Sequence, residues 1–180
     1  VEKRGSHSDL TDEYAAIRTE MESVAEFFGK KVLREVSEEE FKSKIREWRP
    51  VVGDRAILRA MHFYADNARV LKEVDALRGG DFETFKKYIL ESGASSYKYN
   101  QNVFSVKQPS VQPVSLALAV SESILKGRGA WRVHGGGFAG TIQAFVPNDL
   151  LKDYKNIMES IFGEGTCYVL YIRPVGGTKI

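Results

Sequence analysis

Three consecutive glycines, Gly135-Gly136-Gly137, lie between two short stretches of β-type residues. The first stretch ends at Val133, and the second, Thr-Ile-Gln-Ala-Phe-Val, covers residues 141–146. Glycine has no Cβ, so it reaches positive φ and lets another group approach the backbone closely. Consecutive glycine N–H groups can also line a concavity that suits an anion such as phosphate. The run predicts strand, loop and strand, and leaves open whether the loop is a plain hairpin or a ligand site.

Composition places the chain among ordinary globular proteins. Its 180 residues suffice for one well-filled domain, with 43% hydrophobic and 28% charged residues. The net charge of +2 gives no support for a nucleic-acid or membrane-surface binder. The single cysteine, Cys167, excludes an intrachain disulfide and a cysteine-cluster metal site, and a core position is expected for it. No apolar run approaches the ~20 residues that a bilayer requires, so we expect a cytoplasmic protein.

Helical periodicity dominates the first two thirds of the chain. A first helix is predicted from Thr11, whose hydroxyl is expected to cap it, and a long helix from Asp54 to Leu77. Pro50 is expected to end a shorter helix between them. The polar segment from Ser92 to Gln112 is predicted to be mostly loop. The apolar stripe predicted for the long helix consists of Ile57, Met61, Tyr64, Ala68, Leu71 and Val74.

The last quarter of the chain has the pattern β–loop–β–α–β. Asn148 is expected to cap the helix of this unit, and Thr166 to Arg173 to form its buried last strand. Together with the preceding helices, this pattern predicts an α+β fold in which helices pack against a small antiparallel sheet.

Three segments carry a resemblance to a known family. His134-Gly-Gly-Gly-Phe-Ala-Gly-Thr141 resembles the third conserved motif of galactokinases, which belong to the kinases of galactose, homoserine, mevalonate and phosphomevalonate. The segment 6–18, which contains His7, Tyr14 and Arg18, resembles a galactokinase segment in which a His precedes a Tyr and an Arg-bearing helix. Residues 59–70 resemble a helix further along in the same family, and the three segments keep the family's order.

The resemblance implies a C-terminal domain with a ferredoxin-like antiparallel sheet of four strands and several additional helices. It further implies that residues 1–180 form this one domain, and that the N-terminal catalytic domain with its phosphate loop is absent from the chain. The family's catalytic Asp and Arg belong to that other domain, so no catalytic residue is assigned here and no activity is expected from this piece alone. ATP and Mg²⁺ would be bound mainly by the N-terminal half, against which this domain would pack.

The candidate substrate-binding residues are Tyr14, His134 and the three glycines 135–137. Periodicity alone makes Tyr14 the first member of an apolar stripe, whereas the resemblance implies that its hydroxyl contacts the sugar. The resemblance also implies that the glycine backbone contacts sugar or nucleotide phosphates, with Phe138 as a packing anchor. His134 stands where galactokinases usually have Thr, and could bond a sugar hydroxyl, carry charge near phosphate at low pH, or be a neutral packing change. No metal ligand is assigned. His7 is expected to be structural or solvent-exposed, and His62 to be structural.

Departures from the family pattern leave the substrate open. Besides His134, Ala139 replaces a glycine of the motif, and Gln112 falls where an Asp is expected. The leading interpretation is an ATP-dependent kinase acting on the anomeric hydroxyl of galactose or a related sugar. A galactokinase-like sensor that binds sugar and ATP without turnover is the alternative from another class. Mevalonate or homoserine as substrate ranks last.

Overall fold

The structure, a computed structural model, describes residues 10–138 and 140–171. Over these residues it contains a two-stranded sheet, β1 (Ala130–His134) and β2 (Thr141–Phe145). A 3₁₀ turn covers Leu33–Glu35, and a π-helical turn covers Ser96–Asn100. The α-helices are α1 (Thr11–Phe27), α2 (Glu38–Ser43), α3 (Ile45–Val52), α4 (Asp54–Arg78), α5 (Phe82–Ser95), α6 (Pro113–Leu125) and α7 (Leu151–Phe162).

The sheet is an antiparallel hairpin that the glycine run closes. Its register pairs Ala130 with Phe145 and His134 with Thr141, so the loop between the strands begins directly after His134. Helices α5 and α6 both contact β1. Helix α5 comes close because of Gly93, where a Cβ would lie 3.0 Å from the carbonyl oxygen of Trp131. The predicted α+β class with an antiparallel sheet is therefore confirmed, with two strands in the part of the chain described.

A separate helical core lies between α1, α3 and α4. Its centre is an aromatic cluster in which Phe41 and Trp48 are fully buried, with ring centroids 5.1 Å apart. The long helix α4 has the predicted bounds to within one residue. Its apolar stripe was predicted too long, because Leu71 is 69% exposed and Met61 and Val74 are also exposed. The packed face of α4 instead includes buried polar side chains, among them Arg59 and His62.

Helix α1 begins at Thr11 as predicted, but two predicted caps and one predicted helix end were wrong. Thr11 is the first residue of α1 and follows Leu10 at the N-cap, and α7 begins at Leu151 after Leu150 rather than at an Asn148 cap. Pro50 lies inside α3, which ends at Val52 and is followed by the C-cap residue Gly53, where φ is +83°. Proline removes one backbone donor, and a helix with only two further residues tolerates that loss.

The segment predicted as loop from Ser92 is helical over its first nine residues. Helix α5 continues to Ser95, and the π-helical turn extends to Asn100. Polarity misled the prediction, because the serines of this segment are buried against polar side chains of α4. Ser92 donates a hydrogen bond to Asp66, and the Ser95 hydroxyl lies 2.9 Å from Nδ1 of His62.

The last predicted strand is not found over its described part. Residues 166–171 carry no strand pairing, and Tyr168, Leu170 and Tyr171 are each more than 80% exposed. Residues 172 and 173 of that prediction lie outside the described range, as does His7. Cys167 is half-buried against the apolar side of α7, and this burial raises the pKa of its thiol. Within the described residues, no helix is long and apolar enough to cross a membrane.

Candidate functional site

The glycine loop contacts the first helix through Tyr14. The Tyr14 hydroxyl donates a hydrogen bond of 2.8 Å to the carbonyl oxygen of Gly137. Its ring meets Phe138 edge-on, with the centroids 5.1 Å apart and the planes at 86°. Edge-to-face packing is a favourable aromatic geometry. Two segments that are separated by 123 positions are thus in contact. Phe138 is 3% exposed and packs as the anchor of the loop, as expected from the sequence.

Each glycine of the run meets a different structural requirement. Gly135 has a φ of +63°, which L-residues rarely adopt, although a Cβ there would meet nothing within 4 Å. At Gly136 a Cβ would lie 2.6 Å from Cε1 of the Tyr14 ring. At Gly137 it would lie 1.8 Å from the carbonyl oxygen of Asn102. Turn geometry and packing therefore account for all three glycines before any ligand is considered.

The opposite side of the loop is held by Asn102. Its carbonyl oxygen accepts the N–H of Phe138 at 2.6 Å, and its Nδ2 donates to the carbonyl oxygen of Gly136 at 3.3 Å. Asn102 is 3% exposed, and its Oδ1 is buried without a hydrogen-bond partner among the described atoms. We call residues 100–107 the bridging segment, since it lies between the glycine loop and helices α1 and α4.

Buried charged side chains fix the bridging segment to these two helices. Nε of Arg59 donates to the carbonyl oxygen of Asn100 at 3.1 Å. The hydroxyl of Ser105 donates to Oε1 of Glu13 at 2.8 Å, and both residues are buried. A carboxylate or guanidinium inside a protein is stable only when it is paired and hydrogen-bonded. These contacts therefore tie the bridging segment to α1 and α4 at two points.

Glu20 is the carboxylate that pairs with Arg59 and Arg55. It accepts hydrogen bonds from Arg59 at 2.9 Å and, through a fork of contacts, from Arg55. Burial lowers the pKa of Arg59, and the charge of Glu20 opposes that shift. The hydrogen bond with Glu20 raises the pKa of Arg55, which is less buried. Arginine stays protonated in proteins, so two cations face one carboxylate here.

The predicted site residues divide into an exposed and a buried group. His134, Gly135 and Gly136 are exposed at the tip of the hairpin. Tyr14 is half-buried, and Gly137 is buried beneath its hydroxyl. The structure therefore brings all five substrate-binding candidates to one loop and its support, and of these Gly137 is the buried one while Tyr14 is partly exposed.

Gln112 and His62, which the sequence analysis singled out, each have a structural role outside the glycine loop. Gln112, which stands where the family has Asp, is the N-cap residue of α6, and its Nε2 donates to the carbonyl oxygen of Pro109 at 2.6 Å. His62 is 9% exposed between α4 and α5, and burial lowers its pKa. The Nε2 atom of His62 lies 4.0 Å from Oδ2 of Asp66.

Sequence reasoning did not identify the residues that support the loop. Glu13 was not among the candidate residues, and Asn102 fell within the polar segment predicted to be mostly loop. Arg59 belonged to a segment that resembles the family, but it received no role. Glu13, Arg59 and Asn102 are each 5% exposed or less. Burial of a charged or amide side chain depends on tertiary contacts, so a single sequence carries little signal for it.

The residues that the structure describes show no metal-binding cluster, and two N–H groups of the glycine loop are already hydrogen-bonded. No group of three or more His, Cys, Asp or Glu side chains within residues 10–138 and 140–171 could hold a metal ion. In the glycine loop, the N–H of Phe138 is used by Asn102, and that of Gly140 donates to Gly137 at 2.9 Å. Neither N–H is available to a phosphate, so the loop does not form an anion site through these two groups.

Comparisons with known proteins agree on one family. The chain is 31% identical over 166 residues to the galactokinase of Mannheimia succiniciproducens, covering 92% of this chain and 41% of that protein. It is 29% identical over 160 residues to the galactokinase of Haemophilus influenzae, covering 89% of this chain and 40% of that protein. The chain thus spans about two fifths of the length of these relatives. No family model matches it.

A solved structure has the same fold. The galactokinase of Lactococcus lactis, crystallised in complex with galactose, superposes with a TM-score of 0.64 at 21% sequence identity. The match covers 90% of this chain and 40% of that one. At this identity the likeness concerns the fold, and it agrees with the α+β arrangement described above. From the sequence matches and the shared fold together, this chain belongs to the galactokinase family and corresponds to the C-terminal part of its members.

Proposed function

We propose that this chain is the C-terminal lobe of an ATP-dependent kinase that phosphorylates the anomeric hydroxyl of galactose or a related sugar. One observation carries the proposal. The Tyr14 hydroxyl and the Gly137 carbonyl, from two motifs that resemble galactokinases independently, are hydrogen-bonded to each other. In this proposal residues 1–180 form a single domain, and a separate N-terminal domain supplies the catalytic residues and the phosphate loop.

The reaction transfers a phosphoryl group. The anomeric oxygen of the sugar forms a bond to the γ-phosphorus of ATP, the bond from that phosphorus to the β–γ bridging oxygen breaks, and the hydroxyl proton passes to a base. ADP and a sugar 1-phosphate result. Such transfer depends mainly on positioning and charge stabilisation. We assign the base to the N-terminal domain, so this chain would be inactive by itself.

Positioning is the task that this chain's own residues suit. The Tyr14 hydroxyl already donates its proton to Gly137, so its oxygen lone pairs are left to accept from a sugar hydroxyl. The exposed backbone of Gly135 and Gly136 and the side chain of His134 would face the substrate at the hairpin tip. A loop of this kind can also shield the reacting groups from water.

Mg²⁺ and the nucleotide would be held mainly by the N-terminal domain. Mg²⁺ in kinases is usually held by phosphates and one or two carboxylates, and this arrangement needs no metal cluster in the C-terminal lobe. The exposed apolar side chains of Tyr168, Leu170 and Tyr171 support packing of this lobe against another domain. Large apolar side chains exposed close together in sequence are consistent with an interaction surface. A cytoplasmic location stays a prediction from the sequence.

The test uses the full-length protein that contains this chain. ADP release is measured with Mg-ATP and a panel of hexoses and N-acetylhexosamines, and the product is checked for phosphate at the anomeric carbon. Turnover that is best with galactose supports the proposal, and a preference for another hexose changes only the sugar. Binding of sugar and ATP without any turnover would refute it and favour the sensor.

A further inference from the structure

We propose that Arg59 is a positioning residue for the glycine loop and acts through the backbone of Asn100. The effect of this positioning on catalysis rests on the proposed function, whereas the effect of Arg59 on the position of the loop does not. Arg59 hydrogen-bonds the Asn100 carbonyl, the chain turns at Gln101, and Asn102 then hydrogen-bonds the loop. Arg59 lies outside the loop and makes none of the loop's own hydrogen bonds that the structure shows.

Arg59 combines deep burial with two fixed hydrogen bonds. It is 1% exposed, and its Nε donates to Asn100 at 3.1 Å while a terminal nitrogen donates to Glu20 at 2.9 Å. The guanidinium is a planar fork whose donors have fixed directions. Holding Glu20 and the Asn100 carbonyl at once therefore sets the position of that carbonyl relative to α1 and α4. The three N–H donors of a lysine share one nitrogen, so they cannot hold two acceptors at the spacing that two guanidinium nitrogens provide.

The turn that follows Asn100 needs such support. Gln101 has a φ of +55°, and its N–H donates to the carbonyl oxygen of Ser96 at 2.8 Å. A left-handed conformation costs a residue with a Cβ about 1–2 kcal/mol. It persists where the surrounding structure holds it in place. The buried bond from Arg59 to the preceding carbonyl is one of the contacts that do so.

The next residue transmits this position to the loop. The carbonyl oxygen of Asn102 accepts the N–H of Phe138 at 2.6 Å, and its Nδ2 donates to the carbonyl oxygen of Gly136 at 3.3 Å. Asn102 therefore hydrogen-bonds the loop on both sides of Gly137. The Gly137 carbonyl in turn receives the Tyr14 hydroxyl. A shift of the Gln101 turn therefore displaces the loop relative to Tyr14. Misplacement by about 1 Å in a catalytic site can reduce the rate roughly 100-fold.

The chain provides a matched control in Arg55. Arg55 lies one helical turn before Arg59 and hydrogen-bonds the same carboxylate of Glu20. Its hydrogen bonds within the described residues go to Glu20 and not to the bridging segment. Arg55→Lys and Arg59→Lys thus make the same chemical change next to the same acid, and only the second removes the bond to Asn100.

The experiment compares Arg59→Lys, Arg55→Lys and the unmodified sequence in the full-length protein. Hydrogen exchange is followed by mass spectrometry in peptides covering 99–104, 134–141 and, as an internal reference, α6. We expect Arg59→Lys to speed exchange about tenfold in the first two peptides without a comparable change in α6, and Arg55→Lys to leave all three near the unmodified values. In sugar kinase assays Arg59→Lys is expected to raise the sugar KM or lower kcat by about tenfold or more relative to Arg55→Lys.

Two exchange results would overturn the positioning role. One is equal exchange in the loop peptide of the two variants, and the other is an increase for Arg59→Lys that is as large in α6 as in the loop. If the unmodified protein phosphorylates no sugar, the proposed function fails, while the exchange comparison still decides whether Arg59 positions the loop. Faster loop exchange with unchanged kinetics in an active protein would refute the catalytic consequence alone.

Discussion

The phenolic hydroxyl of Tyr14 donates its hydrogen bond to the backbone carbonyl of Gly137 at 2.8 Å. This contact orders both partners, because the loop gains a fixed carbonyl and the ring is held against Gly136 and Phe138. Tyr14 was expected to be either an apolar core residue or a sugar contact. In the structure its ring packs against Phe138 and its hydroxyl bonds the loop backbone, so the packing role is observed and the sugar contact stays a prediction.

Removing this hydroxyl should affect the loop more than the fold. Tyr14→Phe keeps the ring packing on Phe138 but loses the bond to Gly137. We expect a loss of about 1 kcal/mol in the free energy of unfolding, the usual net value of one hydrogen bond. In the full-length enzyme we expect the sugar KM to rise about tenfold, which corresponds to ~1.4 kcal/mol of binding. Thermal unfolding and initial-rate kinetics measure the two effects.

Tyr64→Phe is the matched control for this substitution. The Tyr64 hydroxyl also donates to backbone carbonyls, those of Leu33 at 3.1 Å and Val36 at 2.9 Å, in the helical core away from the loop. Burial raises the pKa of Tyr64 to about 12. This variant should lose stability without a change in sugar KM. An equal rise of KM in both variants would contradict a specific role for Tyr14.

Alanine substitutions in the glycine run should differ in severity. Gly135→Ala meets only the strain of a positive φ, about 1–2 kcal/mol. Gly136→Ala has no such backbone strain, but it forces the Tyr14 ring away, since the new Cβ would lie 2.6 Å from Cε1 of that ring. Gly137→Ala meets a backbone oxygen at 1.8 Å that no rotamer change can relieve. Unfolding temperatures should fall in the order Gly135, Gly136, Gly137, with the last lowest, and equal values would contradict these contacts.

The exposed His134 provides a test of sugar selectivity. His134→Thr restores the residue that galactokinases usually carry at this position. Because the side chain is exposed at the end of β1, we expect less than about 0.5 kcal/mol change in stability. If His134 contacts the sugar, the ratio of kcat/KM between galactose and a second accepted hexose should change several-fold. An unchanged ratio would make His134 a neutral replacement.

The buried His62 should make stability depend on pH. Burial lowers the pKa of His62 below its ordinary value of 6.5, the positive charges of Arg69 and Arg132 lower it further, and Asp66 opposes them. Below pH 6.5 the unfolded chain therefore binds a proton that the folded protein resists. Stability is full above that pH and falls as the pH decreases towards the folded-state pKa.

Urea unfolding between about pH 7.5 and pH 5.5 measures this dependence. His62→Gln removes the titrating group and should flatten the curve, although it also alters the contact with Ser95. The slopes of the two curves are therefore compared rather than their absolute stabilities. The same slope in both proteins would show that another group controls acid stability.

Local patterns were enough to predict several elements of the fold. The 3.6-residue periodicity gave α1 and the long helix α4, and the glycine run between β-type residues gave the hairpin. Helix periodicity depends on residues a few positions apart, so a single sequence contains it.

Local patterns failed where polar residues are buried. Ser92 and Ser95 resembled loop residues but lie in α5, because Ser92 donates to Asp66 of α4 and the Ser95 hydroxyl is hydrogen-bonded to Nδ1 of His62. The predicted strand from Thr166 has the right composition for a strand but no pairing partner over its described part. A strand requires a neighbour, and composition cannot specify which segment provides it.

The sequence by itself determined the α+β class, the family and the glycine loop with Tyr14 as candidates, because these depend on short-range pattern and motif. Only the tertiary structure decided why each glycine is needed, and that Arg59, Glu13 and Asn102 support the loop from the other side. The reason is physical. Burying a charge or an amide is tolerated only when a partner elsewhere in the chain satisfies it, and that partner becomes visible only once distant segments are in contact.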